Sequence, residues 1–257
     1  MKKSKLVFLS FFLPATMLLM TLLLFNGCST KTTDDTPVNY QINDLLTTLD
    51  SAVWQVSDGW SNGAPFLSGW CADSVMNDES GLSISLEDRL CSGEVYASGE
   101  YRTAELVGHG RIEVEMIAAK GAGIVSSVFF YTGESDGNAH EEIDIEILGS
   151  DTSRMQVNYW TEESGIEQEH PTFLDLGFDA SLDYHLYAIE WRDDSILWFV
   201  DNILVHSEAG SKGKLPVLDM RIFMNVWACS ASVWCGVFDD TLLPKSAKYR
   251  HFKFVKF

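Results

Sequence analysis

Basic residues are scarce in this chain of 257 residues. Lysine and arginine number 18 against 37 aspartates and glutamates, so the formal net charge at pH 7 is −19. Nucleic acids and anionic lipid surfaces are bound through clustered Lys and Arg, and the charge therefore argues against both as partners. It is compatible with a neutral polysaccharide, or simply with the self-repelling surface of a soluble exported protein.

Long helical periodicity is absent after residue 27, and no internal repeat is visible. Short β-type runs alternate with turn signals at the spacing typical of an all-β sandwich. The clearest hairpin joins Ile196–Val200 to Ile203–His206 through the turn residues Asp201 and Asn202. Only Gln41–Asp50 is predicted as a short helix.

Cysteine is also infrequent, with five residues in all. None is accompanied by histidines at zinc-site spacing, so no metal site is expected from them. Leaving Cys28 aside, four remain, and an even count in an exported chain suggests two disulfides. Three connectivities are possible. Cys71–Cys91 with Cys229–Cys235 is the most local, and four free thiols are the alternative.

The N-terminus has the pattern of an export signal. Three lysines precede the uncharged run Leu6–Phe25, which is long enough to span a bilayer but contains Pro14. The segment around Cys28 resembles a bacterial lipoprotein processing site. We therefore predict a lipoprotein-type signal peptide at 1–27, lipid on Cys28, a polar tether at 28–40 and a cell-envelope location. Plain secretion and an uncleaved anchor are the alternatives.

The most informative segment is 140–149, in which acidic and aliphatic residues alternate with a period of two. As a strand it has Glu142, Asp144 and Glu146 on one face. Adjacent like charges cost stability and raise one another's pKa, so such a row indicates chemistry more than a chance solvated face. The opposite face is aliphatic and predicts core: Ile143, Ile145 and Ile147.

The row of three carboxylates is suited to the hydrolysis of glycosidic bonds with retention of configuration. This reaction needs a nucleophilic carboxylate and a protonated carboxyl about 5–5.5 Å apart. The Cα atoms of Glu142 and Glu146 would be roughly 13 Å apart on a flat strand, so their side chains must lean toward each other. Asp144 lies between them, where its charge and hydrogen bonds help keep one Glu ionised and the other protonated.

The segment 142–149 resembles the active-site strand of glycoside hydrolase family 16, and within it that of the bacterial lichenases, the endo-1,3-1,4-β-glucanases. The resemblance covers roughly residues 50–257. It implies a catalytic domain at 41–257 with an all-β jelly roll: two curved antiparallel sheets with a substrate cleft on the concave face. Further motifs follow in the family's order: Ser57–Gly63, Glu100–Thr103, Gly123–Ser127, Tyr131–Gly133, Gln156–Trp160, Leu176–Ala180 and Met224–Trp227.

The resemblance also implies residue roles. Glu142 is expected to be the nucleophile, Asp144 the assisting carboxylate and Glu146 the acid/base. No cofactor is implied. Amides and guanidinium groups pair with hydroxyls, and aromatic faces pack on sugars. Trp54, Trp191 and Trp198 are instead predicted as core. The expected substrate contacts are Asn62, Glu100, Arg102, Phe129, Tyr131, His140, Asn158, Trp160, Asn225 and Trp227.

The chain departs from the family at several positions. Ser68 and Ser98 stand where lichenases commonly have a disulfide. Lys253 falls where the family often has an Asp ligand of structural calcium, and an ammonium cannot ligate a cation, so we expect no such site. His140 replaces a usual Trp, whereas the xyloglucan-acting branch also carries His there. It either shapes an acceptor subsite or is only a loop residue.

The resemblance thus predicts a monomeric, retaining endo-β-glucanase that hydrolyses β-1,4 bonds in mixed-linkage β-1,3-1,4-glucan. Xyloglucan and β-1,3-glucan are alternative substrates. Many β-1,3-acting relatives carry an extra residue inside the acidic strand, and this strand does not. An alternative of another class is a non-catalytic glycan-binding lipoprotein, which loss of one acid would favour.

Overall fold

The computed structural model describes residues 40–257. The predicted signal peptide, Cys28 and the tether up to residue 39 lie outside the described residues. The described chain forms 18 strands: β1 Ile42–Asp44, β2 Trp54–Val56, β3 Ser68–Trp70, β4 Val75–Asp78, β5 Gly81–Glu87, β6 Tyr96–Ser98, β7 Glu100–Thr103, β8 Gly110–Ile117, β9 Ile124–Thr132, β10 Glu141–Leu148, β11 Arg154–Glu163, β12 Ile166–Glu169, β13 Thr172–Asp175, β14 His185–Trp191, β15 Ile196–Val200, β16 Ile203–Glu208, β17 Arg221–Ala228 and β18 Lys245–Lys256.

Helical structure is limited to single turns. One α-helical turn, α1, spans Ser232–Cys235, and 3-10 turns lie at Ala72–Ser74, Glu134–Asp136 and Asp240–Leu242. Within residues 40–257, no helix has the length and apolar character needed to cross a membrane.

The strands form two sheets. The ten-stranded sheet has the order β16-β15-β14-β8-β18-β5-β6-β3, with β1 on β18 and β4 on β5; the eight-stranded sheet has the order β12-β11-β10-β9-β17-β7-β2, with β13 on β11. Strands β3 and β6 pair in parallel; the other strand pairs described are antiparallel. Strands distant in sequence are neighbours in both sheets, as in a jelly roll, and the predicted fold class is confirmed.

The core lies between the sheets and contains the predicted aliphatic face of β10. Ile143, Ile145 and Ile147 are fully buried. Trp198 reaches across from the ten-stranded sheet, and its Nε1 donates to the backbone oxygen of Asp144 at 2.9 Å. This contact ties the backbone of the acidic strand to the core. The core positions predicted for tryptophan are confirmed at Trp54, Trp191 and Trp198.

The helix predicted at Gln41–Asp50 is wrong. Strand β1 occupies its first part and pairs with β18, with Ile42 opposite Phe254. The backbone at Leu46 has φ 63°, which is incompatible with a right-handed helix. Pairing with a distant strand overrides the weak local helix preference. The hairpin between β15 and β16 is as predicted, and Asp201 and Asn202 both have positive φ, as a tight hairpin turn requires.

Both predicted disulfides, Cys71–Cys91 and Cys229–Cys235, are present. The Cys229–Cys235 bond closes the segment that contains α1. Both of its cysteines belong to a small hydrophobic cluster that is separate from the main core. At the family's usual disulfide position, Ser98 Oγ donates to Ser68 Oγ at 2.8 Å. A buried hydrogen bond therefore replaces a covalent link there. The separate cluster consists of Trp70, Val125, Leu148, Trp227, Cys229 and Cys235.

Candidate active site

The candidate site lies on the outer side of the eight-stranded sheet, on the face that carries Glu142, Asp144 and Glu146. We call it the cleft face. Because strand pairing places directly opposite residues on the same face, the register identifies the neighbours of the three acids. From β9 these are Tyr131, Phe129 and Ser127, and from β11 they are Trp160, Asn158 and Gln156.

Glu146 is held by a side chain from β11. Gln156 Nε2 donates to Glu146 Oε2 at 3.0 Å, and Gln156 Oε1 accepts from Trp234 Nε1 at 2.8 Å. Burial, reinforced by the charge of Glu142, raises the pKa of Glu146 from 4.5 to about 8, although the Gln156 hydrogen bond acts in the opposite direction. Glu146 therefore keeps its proton at neutral pH, as a general acid must.

Asp144, between the two glutamates, is 3% exposed. Burial raises its pKa well above the ordinary range, and the charges of Glu142 and Glu146 add to this effect. A hydrogen bond to Glu142 acts in the same direction, while the Trp160 side chain opposes it. The protonated Asp144 side chain is a hydrogen-bond donor beside Glu142.

Glu142 is contacted by an imidazole. His140 Nε2 lies 2.8 Å from Glu142 Oε2, and His140 Nδ1 lies 2.9 Å from Glu167 Oε1 on β12. The two glutamates therefore have different environments: Glu142 has an imidazole as its hydrogen-bond partner, whereas Glu146 is buried and retains its proton.

A cleft of about 650 Å³ opens on this face beside Glu142. It contains seven of the residues predicted from the sequence: Asn62, Glu100, Arg102, Phe129, Tyr131, Glu142 and Asn225. Its other lining residues are Trp60, Phe66, Glu134, Ser135 and Phe223.

The floor of the cleft is a buried polar network. Glu100 accepts hydrogen bonds from Ser57 Oγ at 2.6 Å and from Asn225 Nδ2 at 3.1 Å. Ser127 Oγ donates to Asn225 Oδ1. Burial raises the pKa of Glu100, while Ser57, Asn225 and the charge of Arg102 oppose the rise. Because Glu100, Asn225 and Ser127 are held by one another, the network presents fixed partners for hydroxyls.

Aromatic faces form the walls. The rings of Phe129 and Phe223 stack with centroids 5.0 Å apart. Tyr131 meets Phe223 edge-on at 5.8 Å, and the Arg102 guanidinium lies 5.5 Å from the Trp60 ring. Apolar ring faces beside fixed polar groups are the combination that a sugar ring requires.

Four predicted contact residues lie outside the cleft lining. Asn158 is 2% exposed, and its Oδ1 accepts from the backbone N–H of His170. Trp227 is 5% exposed and stacks on Phe66 with centroids 4.0 Å apart. The rings of His140 and Trp160 stack beside Glu142, with their centroids 5.5 Å apart.

Several residues that take part in the site were not predicted from the sequence. Gln156 and Trp60 lie inside the motifs Gln156–Trp160 and Ser57–Gly63, and the alternation in β11 places Gln156 on the face of Asn158 and Trp160. Phe223 has the same parity as Asn225 in β17. No sequence signal pointed to Trp234 or Glu167, because their contacts depend on how the α1 segment and the β11–β12 hairpin fold back.

The family's calcium position does not fit a metal ion in this chain. Lys253 Nζ lies 4.0 Å from Glu113 Oε2 and 5.4 Å from the centroid of the Tyr40 ring. An ammonium paired with a carboxylate supplies no ligand. Among residues 40–257, no group of three or more His, Cys, Asp or Glu side chains is arranged to hold a metal ion.

Comparison with known protein families supports the interpretation of this face as a glycoside hydrolase site. The model of Glycosyl hydrolases family 16 matches residues 63–239. The chain belongs to glycosyl hydrolase family 16. Similar proteins include a β-glucanase of Acetivibrio thermocellus, 39% identical over 221 residues, which are 85% of this chain and 64% of that protein. The present chain thus spans less than two thirds of that relative. A β-glucanase of Bacillus subtilis is 37% identical over 216 residues, which are 83% of this chain and 84% of that protein.

Solved structures of this fold include a Bacillus licheniformis β-glucanase. It has a TM-score of 0.77 and 35% identity, over 84% of this chain and 98% of that one. A β-1,3-1,4-glucanase (lichenase) derived from a mouse hindgut metagenome has a TM-score of 0.78 and 35% identity, over 84% of this chain and 99% of the other. The family 16 resemblance read from the motifs is therefore confirmed.

Proposed function

We propose that this family 16 chain is a retaining endo-β-glucanase that hydrolyses β-1,4 bonds in mixed-linkage β-1,3-1,4-glucan. The observation that carries the proposal is the contrast between two glutamates on one face of β10. Glu142 contacts the His140 imidazole, whereas burial raises the pKa of Glu146 to about 8. One is suited to nucleophilic attack and the other to proton donation.

In the first step, a carboxylate oxygen of Glu142 bonds to the anomeric carbon of the sugar. The bond from that carbon to the glycosidic oxygen breaks, and the Glu146 proton passes to the departing oxygen. The products are a glycosyl ester on Glu142 and a free sugar hydroxyl. Asp144 lies beside Glu142 and, in its protonated form, donates to it.

In the second step, water attacks the same anomeric carbon. Glu146, now ionised, takes a proton from the water, and the ester bond to Glu142 breaks. Two inversions at one carbon give net retention, and both glutamates return to their initial protonation states. No cofactor is needed for either step.

Two kinds of evidence support mixed-linkage β-glucan as the substrate: the chemistry of the cleft and the similarity to known β-glucanases. Aromatic walls and a hydrogen-bonded polar floor suit an uncharged glycan, and the excess of acidic residues disfavours an anionic one. The similar structure from the mouse hindgut metagenome is described as a β-1,3-1,4-glucanase. The uninterrupted strand from Glu142 to Glu146 also favours mixed-linkage glucan over β-1,3-glucan.

The roles of the two acids are tested with Glu142→Ala. We expect hydrolysis to be lost and to be partly restored by azide, with an α-glycosyl azide as product. A β-azide from this variant would exchange the roles of Glu142 and Glu146. Activity near wild type in both Glu142→Ala and Glu146→Ala would refute the assignment.

The substrate is tested by comparing kcat/KM on barley β-glucan, lichenan, laminarin, xyloglucan and carboxymethylcellulose. We expect barley glucan and lichenan to be preferred and to yield short mixed-linkage oligosaccharides. Binding of these glycans without any product would support the alternative of a non-catalytic glycan-binding protein.

Xyloglucan is the second candidate, and His140 is the observation that favours it. Its ring is smaller than the usual Trp and has a polar edge, which leaves room for a branched chain. A preference for xyloglucan that His140→Trp shifts toward barley glucan would identify this position as the cause. The mechanism would be unchanged.

We also propose that the protein is exported and anchored to the cell envelope through lipid on Cys28. The lysines, the apolar run and the cysteine that follows them support this. Cys28→Ser should abolish lipid labelling and leave the precursor unprocessed. If the variant is processed and located like wild type, secretion or an uncleaved anchor is the better explanation.

A further inference from the structure

His140 lies between two carboxylates that belong to different strands. Its Nε2 is 2.8 Å from Glu142 Oε2, and its Nδ1 is 2.9 Å from Glu167 Oε1. Both distances are those of charge-assisted hydrogen bonds. An ionised carboxylate only accepts hydrogen bonds, so both ring nitrogens must donate, and only the imidazolium form of histidine has two N–H groups.

Three further groups fix the ring in place. The His140 backbone N–H donates to Glu162 Oε2 of β11 at 3.2 Å. Trp160 stacks on one side with 20° between the ring planes, and Tyr131 of β9 lies 5.4 Å away at 54°. A cation over an aromatic face is attracted to it, so this packing also favours the charged ring.

We propose that His140, held by Glu167, is the positioning residue of the nucleophile. The imidazolium fixes the orientation of the Glu142 carboxylate and balances its charge beside Asp144 and Glu146. The proposal rests on the proposed retaining mechanism and adds to it a dependence on the β11–β12 hairpin, because Glu167 comes from β12.

The titration of His140 links this contact to pH. The titratable groups that face the ring are Glu142 from β10, Tyr131 from β9, Glu162 from β11 and Glu167 from β12. Burial lowers the pKa of His140, but the hydrogen bonds and charges of Glu142 and Glu167 outweigh it, and the net direction is upward. Above that pKa the ring has one N–H and must release one of the two carboxylates.

Glu167→Gln is the first variant. It removes the charge of the supporting carboxylate at an exposed position, so folding is not at risk. The pKa of His140, measured by NMR titration of isotopically labelled histidine, should fall by about half a unit to one unit.

Glu169→Gln is the matched control, with the same charge change on the same strand. Glu169 acts on the pKa of Glu146. This variant should leave the His140 titration within about 0.2 unit of wild type, since a surface charge outside hydrogen-bond distance is largely screened. Equal shifts of the His140 titration in both variants would overturn the role of Glu167.

Two substitutions at position 140 test the effect on Glu142. His140→Phe keeps a ring between Tyr131 and Trp160 without a donor, and His140→Gln keeps a neutral donor. We expect kcat to fall about 10- to 100-fold in His140→Phe and less in His140→Gln, with little change in KM. A His140→Phe enzyme with wild-type kcat and pH profile would refute the positioning role.

A wild-type protein that hydrolyses no glycan would refute the proposed function, while the NMR titrations of Glu167→Gln and Glu169→Gln would still decide whether Glu167 holds His140. An active wild type with unaffected position-140 variants would refute the positioning role alone.

Discussion

Gln156 Nε2 donates a hydrogen bond to Glu146 Oε2 at 3.0 Å, and this contact joins the acid/base candidate on β10 to the neighbouring strand β11. The other end of the Gln156 amide accepts from Trp234 Nε1. Trp234 lies in α1, inside the segment closed by Cys229–Cys235. The environment of Glu146 therefore depends on β11 and on a disulfide-closed segment distant from it in sequence.

The first prediction concerns the basic limb of the pH profile. Glu146 must hold its proton in the first step, so kcat/KM should fall as pH rises through about 8. The Gln156 donor lowers the pKa of Glu146 by stabilising the carboxylate. Gln156→Leu should therefore raise this pKa and move the basic limb to higher pH. The measurement is kcat/KM from pH 5 to 10.

Trp234→Phe is the companion variant. It keeps a ring but removes the N–H that orients Gln156, so the basic limb should move in the same direction by a smaller amount. A basic limb that stays in place in Gln156→Leu would mean that Glu146 does not control it.

The second prediction concerns stability. The pKa of Glu146 is raised from 4.5 to about 8, so the folded state binds this proton more tightly than the unfolded state. Its contribution is fully present below pH 4.5 and is lost as pH rises toward 8. Glu146→Gln keeps the shape without the ionisation. It should stabilise the protein by about 1–3 kcal/mol at pH 8 and much less at pH 5.

Thermal unfolding at the two pH values measures this difference. Glu163→Gln, at an exposed position on the β11–β12 hairpin, is the control and should show no comparable pH dependence. A Glu146→Gln protein that is equally destabilised at both pH values would contradict the prediction.

The third prediction separates the two disulfides. Replacing both cysteines of either pair by serine should destabilise the protein by about 2–3 kcal/mol in the chain-entropy model. Only loss of Cys229–Cys235 should also shift the basic limb, because that pair closes the segment carrying Trp234. Denaturant unfolding and pH profiles of the two double variants decide this. Four alkylatable thiols in the unreduced wild type would refute both bonds.

The fourth prediction concerns calcium. Lys253 pairs with Glu113 where a metal ligand would be needed, so EDTA should change the melting temperature by less than about 1 °C, since a ligand stabilises only a protein that binds it. Thermal unfolding with EDTA and with added calcium is the measurement. A drop of several degrees that calcium reverses would reveal a site built from other residues.

Strand β10 was predicted correctly from the sequence, whereas the segment Gln41–Asp50 was not. The period-two alternation at 140–149 was sufficient to predict which side of β10 is core and which carries the three acids, because successive side chains on a strand point to opposite faces. The same kind of reasoning failed at Gln41–Asp50. A short stretch has only a weak helix preference, and pairing of Ile42 with Phe254 outweighed it.

Some of the predicted substrate contacts line the cleft, and others are buried by neighbouring segments. Asn62, Glu100, Arg102, Phe129, Tyr131 and Asn225 line the cleft. Asn158 is covered by the backbone of His170, and Trp227 packs against Phe66. Motif matching predicts the face on which a side chain lies, but the extent of its burial depends on which loops cover that face.

By itself, the sequence determined the β-rich architecture, the face of β10 that carries the acids, and the family, whereas the structure decided which of the possible disulfide pairings forms. The features determined by the sequence depend on local alternation and ordered motifs. Only the tertiary structure decided that His140 lies between Glu142 and Glu167 and that Gln156 connects Glu146 to Trp234. A local pattern specifies the face of a strand, whereas the partner across that face is set by pairing and packing of segments distant in sequence.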